Sequence, residues 1–345
     1  MKSHVAIIII LGCVLAACRK DNSIKPTATN SPITVASDYT ICAEDFWEDD
    51  ADFQAFSSNI CFTYNGKLYV PRNVPNTDYP DPNVVNIFDG NTWTQKSCIT
   101  PFGTASANNI FFTIGSKGYS TSLHNHGMPC PFYEYNIITN TWTRKADFPG
   151  EAYEGCYFFA VNGKGYVVGG EDSGDFTNEN WEYNPANNTW TKRKGLPLNR
   201  AHGRGFAIGN KGYIIGGEYP NDLGYLRSLL EYNPATDEWT SKAMLPGEAR
   251  ANPDVFVIDG DAYAGGGYAG SEQFVDFYKY NVSNNSWIRV KNMPSHNART
   301  TFALNGKGYF AWTKYPNPAV TSGLVKYNPK YCVTTLGGTT IPNAQ

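Results

Sequence analysis

Tryptophan and tyrosine recur in this chain at an interval that few folds can use. Trp47, Trp93, Trp142, Trp190, Trp239 and Trp287 lie 46 to 49 residues apart. A second series, Tyr69, Tyr119, Tyr166, Tyr213, Tyr263 and Tyr309, keeps phase with the first. Six marks in each series mean six copies of one unit. A period near 50 built from strand-like segments points to the blade of a β-propeller.

One copy shows why the segments read as strands. Gly205-Phe206-Ala207-Ile208 is a short apolar run that ends at Gly209-Asn210. Lys211-Gly212-Tyr213-Ile214-Ile215 then leads to the pair Gly216-Gly217. After a polar stretch, Ser228-Leu229-Leu230-Glu231-Tyr232 runs to Asn233-Pro234-Ala235-Thr236-Asp237, and Trp239-Thr240-Ser241-Lys242 closes the copy. Short β-branched and aromatic runs punctuated by Gly, Asn, Asp and Pro are strand and hairpin signals. Beyond the N-terminal leader no segment keeps a 3.6-residue apolar period, so the expectation is all-β.

The same order recurs. Asn162-Gly163-Lys164-Gly165-Tyr166 precedes Gly169-Gly170, Tyr183-Asn184-Pro185 and Trp190. Asn305-Gly306-Lys307-Gly308-Tyr309 precedes Tyr327-Asn328-Pro329. Tyr135-Asn136 precedes Trp142, and Tyr280-Asn281 precedes Trp287. Aromatic side chains supply large buried area between sheets, and paired glycines let the backbone turn with positive φ. The pattern resembles the kelch repeat, marked by a diglycine after the second strand, then a Tyr, then a Trp. The resemblance spans roughly residues 47–330 and implies a six-bladed kelch-type β-propeller. The diglycine stands at Gly169-Gly170, Gly216-Gly217 and Gly266-Gly267; Arg72-Asn73, Ser122-Leu123 and Trp312-Thr313 replace it elsewhere.

The sixth copy has Tyr309 and Tyr327 but no following Trp. Trp47-Glu48-Asp49-Asp50-Ala51-Asp52-Phe53 matches Trp142-Thr143-Arg144-Lys145-Ala146-Asp147-Phe148 in register. The N-terminal segment is therefore expected to supply the outer strand of the last blade, which closes the ring and removes exposed sheet edges. Cys42 lies five residues before Trp47 and Cys332 five after Tyr327. Both offsets fall in the hairpin turn of an ordinary copy, so a Cys42–Cys332 disulfide is expected, with two separate buried thiols as the alternative. Such a bridge contributes at most about 4–5 kcal/mol on the chain-entropy model. The spacing also permits a Cys98–Cys130 pairing, and leaves Cys61 and Cys156 unassigned.

Residues 1–17 read as a leader and not as part of the fold. Lys2 gives a positive start and Val5–Val14 a short apolar core. Leu15-Ala16-Ala17-Cys18 resembles the lipobox of bacterial lipoproteins, which implies cleavage before Cys18 and lipid on its thiol. The apolar run is too short to span a bilayer. Residues 18–37, rich in Asn, Ser, Thr and Pro, read as a flexible tether, and 38–345 as the propeller. The expected location is the bacterial cell envelope, at the outer membrane, on an unassigned side. Such an exported location permits disulfides. With a net charge of −3 and 17% charged residues, the chain lacks the basic footprint of a nucleic-acid binder.

In a propeller the loops after each second strand share one face with the connections between blades. His124 and His126 belong to the first set; His202 and His296 belong to the second. Arg200, Arg204, Arg250 and Arg299 come from inter-blade connections, and Glu171, Asp172 and Glu218 follow diglycines. Polar groups converging on a concave mouth are the usual form of a binding site. An Arg at the start of the innermost strand also bridges blades in kelch repeats, which is the competing role for Arg250 and Arg299. His124-x-His126 fits metal ligation only loosely, with no third ligand at a suitable spacing. The copper site of galactose oxidase, whose core is kelch-like, does not map onto this chain, and no cofactor is expected.

Two functions from different classes follow. One is an exported, lipid-anchored binding module for a glycan or an envelope protein partner. The other is implied by a likeness in size, blade number and export to sialic-acid mutarotases: an anomer-exchanging sugar enzyme. Glu218 with Arg204 or Arg250 would then serve as acid–base pair and carboxylate clamp, assisted by His202. A structural subunit contacted at its blade edges is a third reading.

Overall fold

The turn signals between apolar runs become hairpins. Asn162-Gly163 and Asn305-Gly306 adopt positive φ at both residues (53° and 73°, 50° and 72°), the geometry that matches the twist of antiparallel strands. The computed structural model describes residues 33–34, 39–50, 61–72, 84–98, 111–121, 130–151, 154–220, 224–294, 298–314, 321–329, 331–335 and 340–341. The described residues form strands and turns, without helix.

Within Glu44–Tyr331 the chain forms six four-stranded antiparallel sheets. Blade 1 comprises Phe62–Tyr64, Lys67–Arg72, Val84–Phe88 and Trp93–Ser97; blade 2, Phe111–Ile114, Lys117–Thr121, Phe132–Asn136 and Thr141–Arg144. Blade 3 comprises Tyr157–Val161, Lys164–Val168, Asn180–Asn184 and Thr189–Lys192; blade 4, Arg204–Ile208, Lys211–Ile215, Leu229–Asn233 and Glu238–Lys242. Blade 5 comprises Asp254–Ile258, Asp261–Gly265, Phe277–Asn281 and Ser286–Arg289. Blade 6 comprises Ala298–Leu304, Lys307–Lys314, Thr321–Asn328 and, from the N-terminal side, Phe46–Asp50. The first strands touch in order around the ring, and blade 6 returns to blade 1. This is the six-bladed β-propeller expected from the repeats.

What joins one blade to the next is a series the Trp–Tyr reading did not include. Phe62, Phe112, Phe159, Phe206, Phe256 and Phe302 occupy one register position, each opposite the Tyr of the second strand. In blades 2 to 6 the two rings stack, as in Phe206–Tyr213 (5.2 Å, 10°) and Phe302–Tyr309 (5.0 Å, 4°). Each Phe then presses on the residue before the next blade's Tyr. A Cβ on Gly212 would lie 2.0 Å from the Phe159 ring, and one on Gly165 2.1 Å from Phe112. The Gly of Lys-Gly-Tyr is therefore a notch that receives the neighbouring blade's Phe.

A second joint lies at the blade perimeter. Asn188, Asp237 and Asn285 each accept a hydrogen bond from their own blade's Tyr hydroxyl and from a backbone N–H of the preceding blade: Ala146, Lys194 and Ala243 respectively. Two residues on, Trp190, Trp239 and Trp287 donate Nε1–H to the carbonyls of those same three residues. The ring closure repeats this joint across the chain break. Asp45 accepts from Tyr327 Oη (3.1 Å) and from Lys291 N–H (2.6 Å), while Trp47 donates to Lys291 O (3.1 Å). Trp47 pairs with Tyr327 in the blade 6 register, so the N-terminal strand completes the last blade as expected.

Met1–Ala43 and Cys332–Gln345 make up a separate unit. In it Ile33–Thr34, inside the segment read as tether, pairs antiparallel with Thr340–Ile341. Strands Tyr39–Ala43 and Tyr331–Thr335, which carry Cys42 and Cys332, are hydrogen-bonded neighbours; the two cysteine side chains lie outside the described residues. The leader, including Cys18, also lies outside them. Cys61, Cys98, Cys130 and Cys156 are buried and form no disulfide. Cys98 and Cys130 therefore do not pair: Cys98 packs with Phe62 and Tyr135, whereas Cys130 packs with Cys156 and Phe148.

Candidate functional site

The connections that lead into blades 3, 4 and 5 share one conformation. Gly155, His202 and Asn252 occupy the same place in each and have φ of 61°, 57° and 44°. The residue before each, Glu154, Ala201 or Ala251, pairs by its backbone with Glu171, Glu218 or Tyr268. Those partners follow the diglycines directly, so connections and second-strand loops meet on one face. His202 N–H donates to Gly155 O (2.8 Å) and Asn252 N–H to His202 O (2.6 Å), which links three consecutive blades along a rim.

The side chains on this rim form two groups, joined only through the backbone bond from Asn252 N–H to His202 O. His202 Nε2 lies 2.6 Å from Glu171 Oε1, and Glu171 Oε2 accepts from Gly174 N–H. Phe176 meets the His202 ring edge-on. Arg204, the first residue of blade 4, donates from Nη1 to Asn252 Oδ1 (3.0 Å) and to Gly203 O. Asn252 Nδ2 in turn donates to Tyr268 Oη (3.2 Å). Tyr268 is 36% exposed and stands edge-to-face with Tyr225, whose hydroxyl accepts from Gly270 N–H.

Asp254 begins blade 5 at the register position that Arg204 holds in blade 4. It is buried, and burial pushes its carboxyl up to about 7, with Arg204 as the opposing influence. Burial likewise pulls the Arg204 guanidinium below its usual value, opposed by Asp254 and Tyr268. The two are electrostatically coupled without forming an ion pair. Among the described residues Arg204 has no carboxylate contact, and its remaining donors are unengaged.

These groups also define what the site can do chemically. A planar guanidinium fixed on one edge presents its other N–H groups as a fork for a carboxylate. A His whose Nε2 is held by a carboxylate keeps Nδ1 for proton exchange. Directly past the residues that open the first strands, a central cavity of 290 Å³ is lined by Phe111, Phe158, Ala160 and Ala207 together with Thr63, Thr113 and Thr301. Among the described residues, the mouth thus sets the Arg204 guanidinium and its polar neighbours above this cavity.

The other expected residues are distributed differently. Arg250 is fully buried, its guanidinium held by Asp276 Oδ1 and Oδ2 (2.6 and 2.9 Å), Glu248 O and Gly266 O and covered by the Phe274 ring. It bridges blades and does not face the mouth. Arg200 is 3% exposed and donates to Ser228 Oγ (3.0 Å). Glu218 is half-buried between Ala201 and Tyr225, and its charge raises the buried Tyr157 hydroxyl after the larger effect of burial. Asp172 is half-buried in a two-residue hairpin strand. His124, His126 and His296 lie outside the described residues, as does the Arg299 side chain. No group of three potential ligands able to hold a metal ion occurs among the described residues.

Asp254, Asn252 and Tyr268 were not anticipated. The six-fold Phe series is the signal that finds Asp254: two residues before each Phe stand Tyr157, Arg204, Asp254 and Thr300 in blades 3 to 6. Residues 102–311 match the family model for the KLHDC2/KLHL20/DRC7 Kelch-repeats domain. The solved structure of YjhT is similar, with a TM-score of 0.58 at 15% identity, over 77% of this chain and 97% of that one. No curated protein matches the sequence.

Proposed function

The chain belongs to the kelch-repeat domain family, and from that premise we propose that its mouth binds a small carboxylate-bearing carbohydrate. The observation that carries the reading is Arg204: half-buried, oriented on one edge by Asn252, and without an acidic partner among the described residues. A desolvated guanidinium in that state favours a ligand that brings its own carboxylate. The exposed ring of Tyr268 offers the adjacent wall for a sugar face, and Asn252, Tyr225 and Glu218 lie within the same sector. In this reading the propeller is an exported binding module tethered to the envelope through Cys18.

Saturation-transfer NMR with a panel of acidic and neutral sugars tests the proposal. Acidic sugars such as sialic and uronic acids should receive saturation from the wild-type protein, and Arg204→Gln should remove it. Equal transfer to neutral sugars, or transfer that survives Arg204→Gln, would sink the reading. Silence across the panel would favour an envelope protein as partner.

Glu171 and His202 favour a second reading, anomer exchange of the bound sugar. Their 2.6 Å contact orients the imidazole beside the carboxylate clamp, as acid–base catalysis at a ring oxygen requires. This dyad suits that role better than Glu218. Exchange spectroscopy in the same samples would detect accelerated interconversion of anomers, abolished in His202→Gln with binding retained.

A further inference from the structure

Blades 4 and 5 are entered through connections that share their backbone hydrogen bonds around one Arg, although the blade 5 connection is a residue longer between Leu245 and Arg250 than its counterpart between Leu196 and Arg200. Arg200 and Arg250 each precede the alanine that pairs across to the next loop. Each carbonyl accepts from the second glycine of a diglycine (2.9 Å in both), and each N–H donates to a matching loop carbonyl, Thr177 or Leu226. Opposite each Arg stands the residue that precedes the third strand, Ser228 in blade 4 and Asp276 in blade 5. Their carbonyls accept from Gly216 and Gly266 at the same distance, 3.2 Å. The backbone frames are equivalent; the contents are not.

Arg250 has four hydrogen bonds: two to the Asp276 carboxylate, one to Glu248 O and one to Gly266 O. Arg200 has one, to Ser228 Oγ. The carbonyl of Gly216, counterpart of Gly266, is taken by the Tyr157 hydroxyl (2.9 Å). Ser228 offers a hydroxyl where blade 5 offers a carboxylate. Arg200 is as enclosed as its counterpart, at 3% exposure, and its Nε is sealed from solvent without a partner. Among the described residues no acidic side chain pairs with it. An enclosed guanidinium with one neutral hydrogen bond lacks the counter-charge such a group needs.

We propose that Arg200 and Ser228 form a binding site for a small monovalent anion of the halide class, placed where blade 5 carries the Asp276 carboxylate. The serine hydroxyl is the partner suited to that guest. It accepts from Arg200 Nη1 and keeps its own proton to donate to the anion, which a carboxylate cannot do. The site is separate from the Arg204 mouth, because Arg200 reaches toward the third strand of blade 4 and Arg204 toward Asn252 of the next connection.

Thermal unfolding at constant ionic strength, with methanesulfonate replaced stepwise by chloride or bromide, reads the site directly. The wild-type midpoint should rise and saturate, by about 5 °C when halide exceeds its dissociation constant a hundredfold. Ser228→Asp supplies the missing carboxylate and should make the midpoint independent of halide, while Arg204→Gln should leave the halide response intact. Crystals soaked in bromide should show an anomalous peak beside Arg200 and Ser228, within hydrogen-bonding reach of the serine hydroxyl. A wild-type midpoint indifferent to halide, a Ser228→Asp variant that still follows halide, or bromide bound only elsewhere would each overturn the proposal. Should Ser228→Asp fail to fold, the bromide peak decides alone.

Discussion

Replacing Asp254 with asparagine should stabilise the protein at neutral and alkaline pH and leave it unchanged in acid. The carboxyl is 6% exposed and titrates near 7 in the fold, against an ordinary value near 4. A shift of about three units corresponds to about 4 kcal/mol between the two protonation states. Because the folded value is raised, the native state binds the extra proton. The contribution of this group is therefore complete below about pH 4, is lost as pH rises through about 7, and stays lost above. Asparagine reproduces the shape of the protonated acid and cannot ionise. Urea unfolding between pH 4 and pH 8 should give curves that coincide at the acid end and diverge by roughly 2–4 kcal/mol at pH 8, with the variant more stable. If the two proteins stayed parallel across that range, Asp254 would not be a desolvated acid, and the electrostatic account of the mouth would fail with it.

Three further outcomes test the frame around the site. Asp45→Ala removes both acceptor contacts at the ring closure and should cost about 2–4 kcal/mol in denaturant unfolding; Asp45→Asn should be nearly neutral, since Asn188 and Asn285 make the same joint elsewhere. Asp276→Asn strips the counter-charge from fully buried Arg250 and should cost about 3–5 kcal/mol at neutral pH. Burial pushes the Asp276 carboxyl up, but Arg250 more than offsets this and holds it below its ordinary value, so the wild-type advantage should fade as pH falls through that lowered value. Alkylation of the denatured, unreduced protein should label Cys61, Cys98, Cys130 and Cys156 and spare Cys42 and Cys332, if the disulfide forms between their neighbouring strands.

The architecture was legible because its signals are local and repeated. Trp and Tyr mark each copy within a few residues of their turns, and the missing sixth Trp pointed to Trp47. The Phe series was equally periodic, yet Phe206 sits in a short run that resembles any half-buried strand, and only the notch at Gly165 or Gly212 explains its constancy. The mouth was harder to read. Arg200, Arg204 and Arg250 look alike in sequence, but their surroundings are set by residues 28, 48 and 26 positions away. Arg250 meets Asp276 and is sealed, Arg204 meets Asn252 and stays half-free, and Arg200 meets only a serine. Asp254 is found only through the Phe series, two residues before Phe256 at the register position of Arg204, and its burial is set by the fold.

The rim also has a bearing on how such a protein changes over time. Gly155, His202 and Asn252 are held blade to blade through main-chain atoms, with three different side chains in one geometry. That scaffold holds different side chains at His202 and Asn252, while at Gly155 a Cβ would come within 2.9 Å of the His202 backbone nitrogen, so that station stays bare. Chemical specificity at the mouth can therefore be exchanged one blade at a time, as interchangeable fittings on a frame whose dimensions stay constant. A new ligand would demand new side chains at the two open stations, His202 and Asn252, and none of the ring would have to be rebuilt to receive them.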